Sequence, residues 1–279
     1  MKMTTLKEAL SKKLTKKEMA FFKKSFDLVG DIAQLEIQDE LKKKEKIIAE
    51  TLMELHKNIK VVVKKIGPTG GEERIRPVKV IAGEKRTETI HIENGFRYKL
   101  DINKVYFSPR LVTERARVTA QVNPKEFVFD LFAGVGVFAI PAAKKAEKVV
   151  AIDINKDACN YLKENAMLNK VFSKMEIDCG NCRKIIENQK YKNCANRIIM
   201  NLPMHAGEFL NVAFKIAKKG AVVHFYCFLP EDELFEGGIK KIKDAAKIAG
   251  KKVKILETKR CGQLAPRIWR CAIDFKVLN

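Results

Sequence analysis

Nothing in this sequence is built to cross a membrane or to be exported. The longest uncharged stretch near the middle, residues 131–143, is too short and too rich in glycine to span a bilayer. The opening MKMTTLKEALSKKLTKKE has no apolar core of the kind a signal peptide needs. Secretion and membrane insertion are thereby excluded, and a cytoplasmic location is expected. Repeats and low-complexity tracts are also missing. The seven cysteines are odd in number and scattered, so they read as reduced thiols and not as a disulfide framework. Cys179 and Cys182 have CxxC spacing, with Cys159 and Cys194 within reach in sequence, but no second tight pair completes a zinc set, and no metal is expected.

Acidic residues are scarce relative to basic ones. The 279 residues hold 34 Asp+Glu against 55 Lys+Arg, a formal net charge of +21. Residues 1–104 contain 24 Lys/Arg and 16 Asp/Glu, the remainder 31 and 18, so the excess covers both halves. Cationic side chains that neutralise phosphates release counterions, which favours a polyanionic partner. The plainer alternative is a solvated Lys/Glu surface of the heat-adapted type. A hydrophobic fraction of 46% excludes a disordered chain, and the length suits one large domain or two modest ones.

The residue pattern divides at about position 104. Residues 5–24 carry apolar residues at helical spacing, residues 25–37 read as two short strands around Gly30-Asp31, and residues 39–56 as a long helix. Strand-like runs follow at 61–66, 87–92 and 96–102, with a glycine-rich loop expected to be mobile at 67–71. Residues 1–104 therefore form a small α+β domain. From 105 to 279 strands and helices alternate, with strand-like runs at 127–132, 149–153, 174–178, 197–202, 221–228, 253–258 and 268–277. Alternation of this kind gives a doubly wound, mostly parallel α/β sheet. The last two runs have no long helix between them, which predicts an antiparallel ending. Seven strands so arranged resemble the class I S-adenosylmethionine methyltransferase sheet.

Residues 127–136, FVFDLFAGVG, run an apolar strand into an Ala-Gly-x-Gly turn. Gly134 and Gly136 allow a sharp turn and close approach of a ligand. The full GxGxxG pattern is absent, since position 139 is Ala. A second strand ends in AIDIN, placing Asp153 where an acidic group can accept hydrogen bonds from both ribose hydroxyls of an adenosyl ligand. Without a Walker-type Lys-Ser/Thr, triphosphate hydrolysis is disfavoured. The fourth strand of this half ends in Asn201-Leu202-Pro203, where Asn201 offers a donor and an acceptor to a base edge, or simply caps the strand. Adenine amino-methyltransferases carry a related tip with an aromatic where this chain has Met204, which speaks against exocyclic-amine chemistry. Upstream, Ser108-Pro109 starts a helix on which Glu114 is either the ion partner of Arg110 or a general base, with Arg115 near a cofactor carboxylate.

These motifs occur in one order: YFSPR-x-x-x-ER (residues 106–115), DLFAGVG, AIDIN, IMNLP and a late Ala265-Pro266-Arg267. The set resembles the archaeal and eukaryotic tRNA guanine-37 N1-methyltransferases. The resemblance extends upstream through SFDLVG (25–30), Arg74-Ile75-Arg76, Ala82-Gly83-Glu84 and HIENG (91–95), which look like that family's middle domain. The extra small N-terminal domain of many archaeal members has no counterpart in these residues. The resemblance implies methyl transfer from S-adenosylmethionine to N1 of a guanosine beside the anticodon of tRNA, with no metal and no obligate protein partner. It makes Glu114 the general base, Arg74 the donor that stabilises charge on O6, and Asn201 the group that orients the base. Tyr106, Arg110 and Pro203 match residues that shape the substrate pocket. Arg115, Asp130, Phe132, Ala133, Gly134, Gly136, Asp153, Ile154, Asn155, Asn181, Cys182 and Asn201 fall at cofactor positions, Asn181 replacing the usual acid. Basic residues of both domains would hold the anticodon stem-loop.

Two rivals share much of this pattern. One is a wyosine-pathway enzyme, either a bifunctional methylase of a tricyclic precursor or the aminocarboxypropyl transferase, which typically lacks the Asn-Leu-Pro tip. The other is an RNA-binding protein that has lost activity, which would predict loss of the acid, the base-facing Asn or the glycines.

Overall fold

The computed structural model describes residues 5–67, 70, 71, 73–187 and 189–279. Their contacts define two units: residues up to Ile92 with Lys99–Pro109, and Glu93–Tyr98 with Arg110–Asn279. The boundary expected at 104/105 thus falls at 109/110, and a hairpin tip groups with the second unit. Buried Glu93 is ion-paired there with buried Arg115.

In the first unit the periodic run 5–24 becomes two short helices, α1 (Leu6–Leu10) and α2 (Lys16–Ala20). Each opens with a capping box, Thr5 with Glu8 and Thr15 with Glu18, and the second box restarts the helix after a turn. Strands β1 (Asp27–Val29) and β2 (Ile32–Leu35) form the expected hairpin, with Gly30 at φ 56°. A 3-10 turn over Asp39–Lys44 leads into α3 (Glu45–Leu55). Strands β3 (Val61–Lys65) and β4 (Val78–Gly83) complete a sheet of order β1-β2-β3-β4, parallel only between β2 and β3. Leu10, Leu35, Leu41, Ile48, Leu52 and Val62 pack its core. β4 is missing from the sequence reading. It is an edge strand with only Val78 buried, so it carries little alternation. Positions 68 and 69 of the loop expected at 67–71 lie outside the described residues. Strands β5 (Glu88–Glu93) and β6 (Phe96–Asp101) form a two-stranded hairpin turned by Asn94 and Gly95, both at positive φ.

In the second unit a 3-10 turn (Pro109–Leu111) and α4 (Val112–Ala120) precede the sheet. The elements then alternate: β7 (Phe127–Asp130), α5 (Ala139–Lys145), β8 (Lys148–Asp153), α6 (Lys156–Leu168), β9 (Met175–Cys179), α7 (Cys182–Glu187), β10 (Ala195–Met200), α8 (Leu210–Ile216), β11 (Ala217–Pro230) and α9 (Glu236–Ile248). The chain closes with β12 (Val253–Ala265) and β13 (Ile268–Val277). The sheet runs β12-β13-β11-β10-β7-β8-β9, with β7 to β11 parallel and β13 antiparallel to both its neighbours. β8 is buried along Val149–Ile152, as a central parallel strand covered on both faces must be. Strands are added in one direction from β7 to β9 and in the other from β10 onward, so the carboxyl ends of the parallel pair β7 and β10 form the switch-point crevice.

Candidate active site

The crevice is lined by backbone before side chains. After β7 the chain turns through Gly134 (φ 54°) and Gly136 (φ 97°). A Cβ on Gly136 would lie 2.5 Å from Leu162 Cδ1 and 2.7 Å from Ile140 Cδ1, so the turn packs directly on α5 and α6. The Gly134 N–H donates to Asp153 Oδ2 at 2.6 Å, while Asp153 Oδ1 accepts from the Asn155 N–H at 2.9 Å. The Gly180 N–H donates to the Asp153 carbonyl at 2.8 Å, drawing the turn that carries Asn181 to the same strand end. Asn201 follows β10, next to β7, and its buried Oδ1 has no hydrogen-bond partner among the described residues. Asp130 Oδ2 at the end of β7 is in the same state. Full burial pushes the Asp130 carboxyl up to about 7, and the nearby Asp153 charge adds to the effect. Buried polar atoms left without partners at a strand-end crevice are places a ligand fills.

Other expected cofactor residues have structural work of their own. Asn155 Oδ1 caps α6 by accepting from the N–H groups of Asp157 and Ala158. Asn181 Oδ1 accepts from the Arg183 N–H. Ile154 is partly exposed, the Phe132 ring meets Phe209 edge-on at 5.2 Å, and burial pushes the Cys182 thiol up to about 12. Arg115, 2% exposed, is clamped by both oxygens of Glu93.

Glu114 lies on α4 and is 4% exposed. Its ion partner is Arg117, one turn on, in place of the Arg110 that the spacing offered. Arg117 Nε and a terminal guanidinium nitrogen donate to the two carboxylate oxygens at 2.9 and 2.6 Å, and the Tyr226 hydroxyl donates to Oε1 at 2.7 Å. Burial first, and the Glu114 charge second, push the Tyr226 hydroxyl well above its ordinary value. Burial and the same carboxylate push the Cys261 thiol up to about 12. Sequence reasoning missed Arg117, Tyr226 and Cys261. The one signal available was the i, i+3 spacing of Glu114 and Arg117, because β11 and β12 reach Glu114 only through the fold.

Arg74 and Tyr106 lie in the first unit. Arg74 sits at φ 57°, with its guanidinium 5.0 Å from the centre of the Tyr106 ring. In the second unit Arg110 is exposed, and Pro203 is buried, with its carbonyl accepting from the Phe228 N–H at 3.2 Å. Among the described residues no group of three or more His, Cys, Asp or Glu could hold a metal, and no helix is long and apolar enough to cross a membrane.

A glycine turn at the switch point of a doubly wound sheet with this antiparallel ending, and an acid on the next strand, defines the class I methyltransferase type. Residues 89–256 match the TRM5/TYW2 methyltransferase domain, and residues 6–87 match the TYW2 N-terminal domain. The chain belongs to the TRM5/TYW2 methyltransferase family. It is 48% identical over 257 residues to the Trm5b tRNA (guanine(37)-N(1))-methyltransferase of Pyrococcus abyssi, covering 92% of this chain and 76% of that protein. A solved complex of aTrm5 and tRNALeu superposes with a TM-score of 0.88 at 38% identity, covering 100% of this chain and 79% of that one. The tRNA(Phe) (4-demethylwyosine(37)-C(7)) aminocarboxypropyltransferase of Pyrococcus horikoshii is 33% identical over 277 residues, 98% of this chain and 96% of that protein.

Proposed function

We propose that this protein methylates N1 of guanosine 37 in tRNA, using S-adenosylmethionine. The observation that carries the reading is the pair of partnerless buried acceptors, Asp130 Oδ2 and Asn201 Oδ1, on neighbouring strand ends beside the glycine turn. They fit a ligand with a cationic amino-acid end and a base to be held by its edge. Bound there, S-adenosylmethionine would supply an electrophilic methyl group on sulfonium. The residues that would hold it are Asp130, the backbone of Gly134 to Gly136, Asp153, Asn181 and Asn201.

The remaining work falls to side chains. N1 of neutral guanine carries a proton that must leave as the methyl group arrives, and Glu114 takes it. Negative charge then develops on O6, where the Arg74 guanidinium donates. Asn201 presents the amide that fixes the base edge, and Tyr106, Arg110 and Pro203 shape the pocket. A base in the anticodon loop is single-stranded, so its extrusion costs less than opening a duplex. The net charge of +21 serves to hold the phosphate backbone. With tRNA as the substrate, the enzyme works in the cytoplasm.

Labelled S-adenosylmethionine and unmodified tRNA in a single turnover, followed by nucleoside mass spectrometry, test the reading. The expected product is 1-methylguanosine, absent when position 37 is adenosine. An aminocarboxypropyl adduct would replace it with the activity for which the 33%-identical relative is named, and methylation of a tricyclic precursor only would replace it with the bifunctional wyosine-pathway reading.

A further inference from the structure

Glu114 is held far more elaborately than a surface ion pair requires. Glu257 on β12, Asp274 on β13 and His224 on β11 are partners in register, one row across the sheet. Tyr226, two residues beyond His224, lies on the same face. Arg117 reaches this row from α4, donating to Asp274 at 2.6 and 3.2 Å and to Glu257 at 2.9 Å as well as to Glu114. Asp274 is fixed in turn by His224 Nδ1 at 2.8 Å, and His224 Nε2 meets Arg197 at 2.8 Å. Because arginine can only donate, Nε2 accepts and the Nδ1–H donates to Asp274. Burial would raise the Asp274 carboxyl, but His224 and Arg117 hold it down at about 2. Arg197 closes the chain on Glu126, with Nε donating at 2.7 Å.

A carboxylate has about four acceptor positions. Arg117 fills one on each oxygen of Glu114, and Tyr226 fills a second on Oε1. One position remains, on Oε2. The Cys261 thiol, which also faces this carboxylate, is a weak donor that a base N–H can displace. We infer that Arg117 and Tyr226 are positioning residues for the general base, fixing Glu114 so that a single lone pair on Oε2 is left to receive the guanine N1 proton. The row Glu257–Asp274–His224 holds Arg117 in place for that purpose. The inference rests on the reading of Glu114 as the base, and its test separates the two.

Tyr226→Phe deletes one hydroxyl from a buried ring without changing charge, so it leaves the core filled. Arg117→Lys keeps the charge but cannot reproduce the two-pronged contact. Single-turnover rates at saturating tRNA and cofactor are measured for both variants and for Glu114→Gln, together with tRNA and cofactor dissociation constants and thermal midpoints. The expected result is a rate about tenfold lower for Tyr226→Phe and lower still for Arg117→Lys, with both dissociation constants within about twofold of wild type. A purely structural role would lower the thermal midpoint and spare the rate of the folded enzyme. If Glu114→Gln is inactive while Tyr226→Phe and Arg117→Lys turn over like wild type, the positioning inference is overturned and the base assignment survives. If Glu114→Gln itself turns over like wild type, the base assignment fails and the inference with it.

Discussion

The cofactor role proposed for Asp130 ties folding stability, pH and ligand binding to one side chain. Its carboxyl is fully buried, Oδ1 accepts from the Phe132 N–H at 3.4 Å, and Oδ2 has no hydrogen-bond partner among the described residues. Burial raises it from 3.8 to about 7. Between those two values the native protein keeps a proton that the unfolded chain has released, so stability falls as pH rises through the window and stays low above it. Each full unit inside the window removes ~1.4 kcal/mol, and the stretch from pH 5 to 7, where the slope halves at the upper end, removes ~2 kcal/mol. Asp130→Asn keeps the shape without the titration, so urea unfolding of the cofactor-free proteins at pH 5, 6, 7 and 8 isolates the effect. The variant should gain ~3 kcal/mol on wild type between pH 5 and 8, with the gain levelling off above pH 7. Cofactor affinity should behave oppositely: the ionised carboxylate attracts a cationic ligand, so wild-type binding tightens with pH up to about 7 and the variant binds weakly throughout. A stability difference that is flat from pH 5 to 8 would refute the reasoning, whatever the variant does to activity.

The other expectations concern backbone, buried charge and partner. Gly136→Ala places a Cβ 2.5 Å from Leu162 at φ 97°, and should cost about 1–3 kcal/mol in urea unfolding and weaken cofactor binding. Glu93→Gln removes the carboxylate charge that clamps buried Arg115 and should cost about 3–5 kcal/mol, whereas the double variant Glu93→Leu with Arg115→Met should regain most of it. Filter-binding affinity for tRNA should fall about tenfold or more between 50 and 200 mM salt, linearly in logarithmic coordinates; a flat response would remove phosphate contacts as the main source of affinity.

The strand-end crevice to which the cofactor is assigned was readable because a local pattern encodes it. A strand run, two glycines and an acid on the next strand lie within 27 residues of one another, from Phe127 to Asp153, and each needs only its own segment to be recognised. Edge strand β4 escaped because Val80, Ile81 and Ala82 in succession are all half-buried, which flattens the period-two signal on which such a reading depends. The helical run 5–24 misled for a related reason: its apolar spacing is continuous, while the Thr15 capping box that divides it is a feature of four residues.

Glu114 shows where a one-dimensional reading gives out. On its own helix the choice lay between Arg110 and a catalytic role, and the structure pairs it with Arg117 instead. What makes Arg117 the partner is not helix spacing alone, since i+3 and i−4 neighbours are comparably near. Asp274 and Glu257 pull the guanidinium toward the sheet, and those two acids face it only because β13 runs antiparallel between β11 and β12. Register across three strands, fixed by residues more than 100 positions away, thus decides which lone pairs of Glu114 are engaged. A substitution that slipped β13 by one residue would turn Asp274 to the other face and release Arg117. The chemistry proposed for Glu114 therefore depends on the antiparallel ending of the sheet as much as on the Glu-Arg motif that announces it.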